Sequence, residues 1–246
     1  FLLMILWLGH SAAQPDLAGP FLAWGWRIPF LLSAVMVIVG LYVRLRLAET
    51  PVFVRAVERG ERVKSPLAEV FRGSWRQLII GTFVMLATYT LFYIVTTWAL
   101  SYGTAKRAPD GKGLGFDYVA FLQWQLIAML FFAAMLPVVG RLADRFGRRA
   151  TLLVVTAAIM AYGALFGPML SPESGSQTTM LIFLIVGMTL MGLSFGPMSA
   201  VLPEMFPTNV RYTGSGISYN AASILGAAVA PFLATWIVSA FGVGWV

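Results

Sequence analysis

GRLADRFGRRATLL, residues 140–153, carries five charges in its first ten positions (Arg141, Asp144, Arg145, Arg148 and Arg149), and on each side lies a run of more than twenty residues with none. A hydrocarbon core of about 30 Å takes roughly 20 apolar helical residues to cross, so charge pinched between two such runs is the pattern of a loop at a membrane surface. Residues 118–140 form the preceding run and 150–172 the following one. Moving outward, residues 78–102, 174–203 and 212–246 are equally free of Lys, Arg, Asp and Glu. The stretch 28–43 is shorter, but Trp24, Trp26 and Arg27 flank one end and Arg44 and Arg46 the other, as interfacial anchors do. Six spans are predicted.

Composition agrees. Of 246 residues, 11% are charged and 59% hydrophobic, and the mean hydropathy is +0.82, far from the balance of a water-soluble domain. Strands of a membrane barrel alternate polarity over about ten residues; these runs are continuously apolar and much longer. The expected fold is therefore an all-α polytopic helix bundle with the lipid bilayer as its surroundings. With no cysteine, disulfides, thiolate catalysis and zinc–thiolate sites are excluded. The net charge of +7 is read as the cytoplasmic excess of Lys and Arg common to membrane proteins, not as a nucleic-acid surface.

Orientation follows from the basic residues. Residues 44–76 carry eight of them and are placed in the cytoplasm; alternating sides from there puts thirteen of the seventeen inside, leaving Arg27, Lys106, Arg107 and Lys112 outside. Within this long connector, Glu58, Glu61, Arg62 and Glu69 are spaced for surface helices interrupted at Ser65-Pro66. The opening FLLMILWLG reads as the end of a longer helix, and at FGVGWV the chain stops as though another were due, so an interior portion of a larger transporter-like protein is expected.

The loop at 140–149 holds more than orientation requires. Gly140 and Gly147 are expected to allow close backbone approach, and Asp144, three residues after Arg141 and four before Arg148, is spaced to be bridged by both. G-R-L-A-D-R-F-G-R-R, between two spans on the predicted cytoplasmic side, resembles the signature loop of the major facilitator superfamily. GWRIPFLLS, RLRLAETPVF and PEMFPTNVRYTGSGISYN look like the metabolite:proton symporter group within it, which includes carriers of ketoglutarate, shikimate, and proline or betaine.

That resemblance implies a twelve-helix transporter. Residues 1–26 would be the end of helix five and an outer loop, 27–46 helix six, 47–76 the cytoplasmic inter-bundle loop, and 77–246 helices seven to eleven of the C-terminal bundle, with helix twelve missing. It implies proton-coupled symport of a small organic acid or zwitterion by alternating access, in the cell membrane of a bacterium. It implies no enzyme activity, cofactor or metal. The partners would be the N-terminal bundle of the same protein, a small polar metabolite and protons. A cytoplasmic gate of ion pairs, broken and remade in each cycle, is expected from Asp144, Arg148, Arg149, Arg141, Glu204, Arg211 and Glu49. Nearest among other readings are an exporter of the same superfamily and a non-transporting fragment.

In that superfamily helices seven, eight, ten and eleven face a central cavity. Tyr89, Tyr93 and Thr97 recur at i, i+4 and i+8, one face of a helix. With Gln123, Gln125, Tyr219, Asn220 and Ser223 they are the candidate substrate-lining groups, although such side chains also serve as interhelical glue. Gly192 and Gly196, followed by Pro197, are spaced for close helix contact. No Asp, Glu, Lys, Arg or His lies inside any complete span. A proton-carrying group is therefore expected outside this portion, and His10 is assigned an ordinary solvated role. Chemistry at membrane depth would need a nucleophile, base or metal cluster that these spans do not offer.

Overall fold

A computed structural model describes residues 24–46, 65–107, 113–171, 173 and 175–246, divided into two compact units, Phe1–Arg62 and Val63–Val246. The described part of the first unit centres on helix α1, Ile28–Arg46. Its 19 residues rise about 28 Å. The second unit contains α2 (Pro66–Gly73), α3 (Trp75–Thr104) and α4 (Tyr118–Phe146), then α5 (Arg148–Gly163) and α6 (Phe166–Leu170), and finally α7 (Gln177–Glu204) and α8 (Arg211–Phe241). His10, Glu49 and the connector up to residue 64 lie outside the described residues.

Local chemistry sets the helix ends. Pro66 opens α2 at its first turn, where a missing N–H costs nothing. Asp117 caps α4 by accepting from the Ala120 N–H at 2.9 Å. Ser176 and Thr179 close a reciprocal capping box on α7, with Thr179 N–H donating to Ser176 Oγ at 3.2 Å and Ser176 N–H to Thr179 Oγ1 at 2.7 Å.

Among the described residues four helices, α3, α4, α7 and α8, are long and apolar enough to cross a membrane, at 28 to 31 residues each. The run 150–172, expected as one span, is divided: α5 stops at Gly163 and α6 begins at Phe166. Pro168 supplies the reason, since its ring clashes with the carbonyl four residues back, at Ala164, and it has no N–H to offer the ladder. The charged motif is also more helical than expected. α4 continues to Phe146, so the chain reverses at Gly147 alone, whose φ of +85° is open to glycine at little cost. Gly140 sits inside α4 with nothing within 4 Å of where a Cβ would stand, so close approach is not its role.

The tightest associations are α4 with α7 and α3 with α8. At the first, a Cβ on Gly192 would stand 2.7 Å from the Phe132 carbonyl oxygen, so this glycine makes the expected close contact possible. Aromatic side chains fill the centre: Phe166 and Phe183 meet edge to face at 4.9 Å, and Trp98 stacks on Tyr102 at 5.1 Å. Polar atoms within this core find partners across helices. Tyr102 Oη donates to the Leu170 carbonyl, Tyr162 Oη to the Phe183 carbonyl, and the Thr88 and Ser194 hydroxyls share a hydrogen bond of 2.6 Å between α3 and α7. Among the described residues no buried side-chain nitrogen or oxygen is left without one, as a hydrocarbon setting demands.

Candidate functional site

The chain reversal at Gly147 puts Arg148 at the first position of α5, while Glu204 is the last residue of α7. Their side chains meet in an ion pair, Arg148 Nη1 donating to Glu204 Oε1. Side-chain exposures of 41% and 58% leave the pair open to water, so separating it strands neither charge. The Glu204 carboxylate, by its hydrogen bond and its charge, raises the Arg148 pKa above its ordinary value, with a further contribution from Asp144. The guanidinium is thus cationic at every accessible pH.

The remaining gate candidates take different positions. Arg211 opens α8, donates from Nε to the Phe206 carbonyl at 3.4 Å, and bears electrostatically on Glu204. Asp144 and Arg141 are exposed on the last turns of α4, and Asp144 forms no ion pair with Arg141 or Arg148. Spacings of three and four residues bring side chains together only along one continuous helix. Because Gly147 turns the chain, Arg148 belongs to a different helix and reaches α7 instead. Arg149 lines a groove between α3, α5 and α7 together with Arg148 and Glu204.

The candidate lining residues divide similarly. Tyr89 is buried at 8% exposure, stacked with Tyr93 at 6.5 Å and edge to face with Tyr219 at 5.3 Å. Ser223, with Tyr219 and Tyr93, supplies the polar groups acting on its hydroxyl. These four residues join α3 to α8 in one cluster, of which Tyr219 presents 41% of its surface. Asn220 and Thr97 are exposed, and Asn220 Nδ2 donates within its own helix to the Gly216 carbonyl at 2.8 Å. Gln123 is exposed on α4. Gln125 does something else: its Nε2 donates to the Thr96 carbonyl at 2.6 Å, inside a π-helical turn of α3 at Ile94–Trp98.

A π turn inserts a residue into the i→i−4 ladder and leaves carbonyls available to outside donors. Periodicity arguments, which assume 3.6 residues per turn, do not find it. Ser194, the partner of Thr88, is one of five hydroxyl residues of α7, with Thr178, Thr179, Thr189 and Ser199, and its spacing alone does not single it out.

The family model of the Major Facilitator Superfamily matches residues 17–231. Over 225 residues the chain is 48% identical to the inner membrane metabolite transport protein YhjE of Escherichia coli, covering 91% of this chain and 50% of that one. A putative metabolite transport protein of Haemophilus influenzae is 42% identical over 99% of this chain and 54% of its own length. The proline/betaine transporter of Escherichia coli is 33% identical over 89% of this chain and 43% of its own. The chain thus spans about half the length of the curated relatives it matches. No solved structure is a match.

Proposed function

The chain belongs to the Major Facilitator Superfamily, and from that premise we propose that it is the latter part of a secondary transporter of the bacterial inner membrane. Its cargo is a small organic acid or zwitterion, carried in symport with protons by alternating access. The observation that carries the reading is the Arg148–Glu204 ion pair, which ties the turn between α4 and α5 to the end of α7 while remaining open to water. A contact of that kind holds one state and is released without stranding a buried charge. In the same reading Asp144, Arg141, Arg149 and Arg211 add charge at the cytoplasmic end of the bundle, Glu49 lies outside the described residues, and residues 47–76 connect the two bundles.

The substrate reading rests on the tyrosine cluster of Tyr89, Tyr93 and Tyr219 with Ser223. Asn220 and Thr97 offer further amide and hydroxyl groups at exposed positions on the same helices, and Gln123 an exposed amide on α4. The names of the relatives point the same way: metabolite transport in one group, proline and betaine in another. The test is uptake by the full-length protein in proteoliposomes with an imposed inward proton gradient, offered labelled ketoglutarate, shikimate and glycine betaine separately. Accumulation of one of them that collapses when a protonophore removes the gradient supports the reading. Uptake indifferent to the gradient, or none by correctly inserted protein, refutes proton symport of this class.

A further inference from the structure

The face that α8 buries is a row of small residues spaced by four: Gly214, Ser218, Ala222, Gly226, Ala230 and Ala234. Half of them are alanine, so close packing along most of this face asks for nothing smaller. Gly214 is held small by the Phe206 ring, which lies off α3. At Gly226 the neighbour is α3 itself. A Cβ there would stand 2.6 Å from Tyr89 Cβ, 3.1 Å from the Tyr89 carbonyl carbon and 3.2 Å from the Thr90 nitrogen, whereas ordinary contact begins at 3.4 Å. These are backbone atoms and the first atom of a side chain, which no change of rotamer moves aside.

A second close approach lies farther back along the same pair of helices. A Cβ on Gly81 of α3 would stand 3.2 Å from Ser218 Oγ, and that hydroxyl donates to the Leu78 carbonyl at 3.2 Å. Eight residues separate Gly81 from Tyr89, and eight separate Ser218 from Gly226. The helices therefore run parallel and in step over about 12 Å between the two contacts. Tyr219, Ala222 and Ser223 lie on the stretch of α8 that these contacts bracket. Side chains of a helix lean toward its N-terminus, so the Tyr89 ring lies over the turns of α8 that precede Gly226. There it meets Tyr219 edge to face at 5.3 Å, and Ser223 acts on its hydroxyl. One residue, Tyr89, thus touches Gly226 with its Cβ and the polar groups of α8 with its ring.

On the reading that substrate binds at the tyrosine cluster, we propose that Gly226 is a positioning residue for that site: by admitting the Tyr89 backbone it sets the distance at which the Tyr89 ring meets Tyr219. An added methyl group makes α8 stand off from α3, and the pairing of the two rings loosens.

The experiment uses the full-length protein in detergent with a fluorotyrosine in place of Tyr219, read by fluorine NMR. The ring current of Tyr89 displaces that resonance, and Tyr89→Leu gives its position without the displacement. Gly226→Ala moves the resonance part of the way to the Tyr89→Leu position. Ala222→Ser, which adds one oxygen on the same fully buried face, is the milder perturbation and moves it the same way. Gly192→Ala, an overpacking of similar depth between α4 and α7, leaves it in place. In proteoliposomes, Gly226→Ala raises KM about fivefold, the equivalent of one hydrogen bond, for whichever of labelled ketoglutarate, shikimate and glycine betaine is accumulated. The maximal rate is little changed, and Gly192→Ala leaves KM as it was. A resonance unmoved by both Gly226→Ala and Ala222→Ser, or moved equally by Gly192→Ala, overturns the positioning role. So does an unchanged KM in Gly226→Ala when Tyr219→Leu raises it. An unchanged KM in Tyr219→Leu refutes instead the tyrosine cluster as the substrate site, so the two readings fail separately.

Discussion

Gly192→Ala probes the close approach of α7 to the backbone of α4. The added Cβ would stand 2.7 Å from the Phe132 carbonyl oxygen and 2.9 Å from Met135 Cβ, whereas ordinary contact begins at 3.4 Å. Neither neighbour is a flexible side-chain tip, so α4 and α7 must separate by about 0.5 Å or more, loosening the contact of Gly196 with Val139 one turn along as well. Overpacking of this kind costs about 1–3 kcal/mol, a roughly 5- to 150-fold loss in the folded-to-unfolded ratio. The assay is reversible denaturant unfolding of the full-length protein in detergent, with Gly140→Ala as control. That glycine is also within a helix, but its Cβ would meet nothing within 4 Å, so alanine there should be neutral or stabilise by up to about 1 kcal/mol through helix propensity. If Gly192→Ala unfolds at the same denaturant concentration as Gly140→Ala, the reasoning from close approach is wrong.

In a double-mutant cycle, Thr88→Val and Ser194→Ala should couple by about 0.6 kcal/mol, the average for hydrogen bonds between membrane helices, and by at most about 1.7 kcal/mol; additive effects would mean that the hydroxyls do not pair. Gln125→Leu leaves the Thr96 carbonyl without its donor and should destabilise by about 1 kcal/mol, while Gln123→Leu, exposed on the same helix, should not; equal effects would remove the special role given to the π turn. For the gate, Glu204→Arg and Arg148→Glu should each slow uptake and their combination restore much of it, measured as initial rates in proteoliposomes; no recovery would argue against a direct pair. Asp144→Asn should slow uptake with membrane insertion intact, and an unchanged rate would exclude Asp144 from the gate.

Much of the bundle is legible because the physics of a membrane span is one-dimensional: length, apolarity and absence of charge suffice for α3, α4, α7 and α8. Proline is the exception within the run 150–172. A hydropathy count treats Pro168 as one weakly polar residue, whereas the backbone loses a donor and gains a clash with Ala164. The proposed gate is only partly readable. Residue type and loop position single out Arg148 and Glu204, which lie 56 positions apart, but pairing depends on Gly147 reversing the chain, and a spacing rule for a single helix sends Arg148 toward Asp144 instead. Gln125 illustrates the opposite failure, since an amide on a helix expected to face a cavity fits a substrate as well as it fits a neighbouring backbone until the π turn is seen.

The two kinds of polar contact in this chain divide according to depth. Thr88 with Ser194, Tyr162 with Phe183 and Tyr102 with Leu170 are buried bonds inside the bundle, where a broken bond leaves a polar group facing hydrocarbon with no water to replace its partner. The Arg148–Glu204 pair is exposed at the bundle end, where water takes over when it opens. Interior bonds therefore resist internal rearrangement, and the terminal charge contact is the cheap one to exchange. That ordering of costs suits a bundle that moves as one body and switches at its ends. It also means that a substitution slowing transport through the gate should leave unfolding nearly unchanged, while one that acts through Thr88, Ser194 or Gly192 should alter unfolding first.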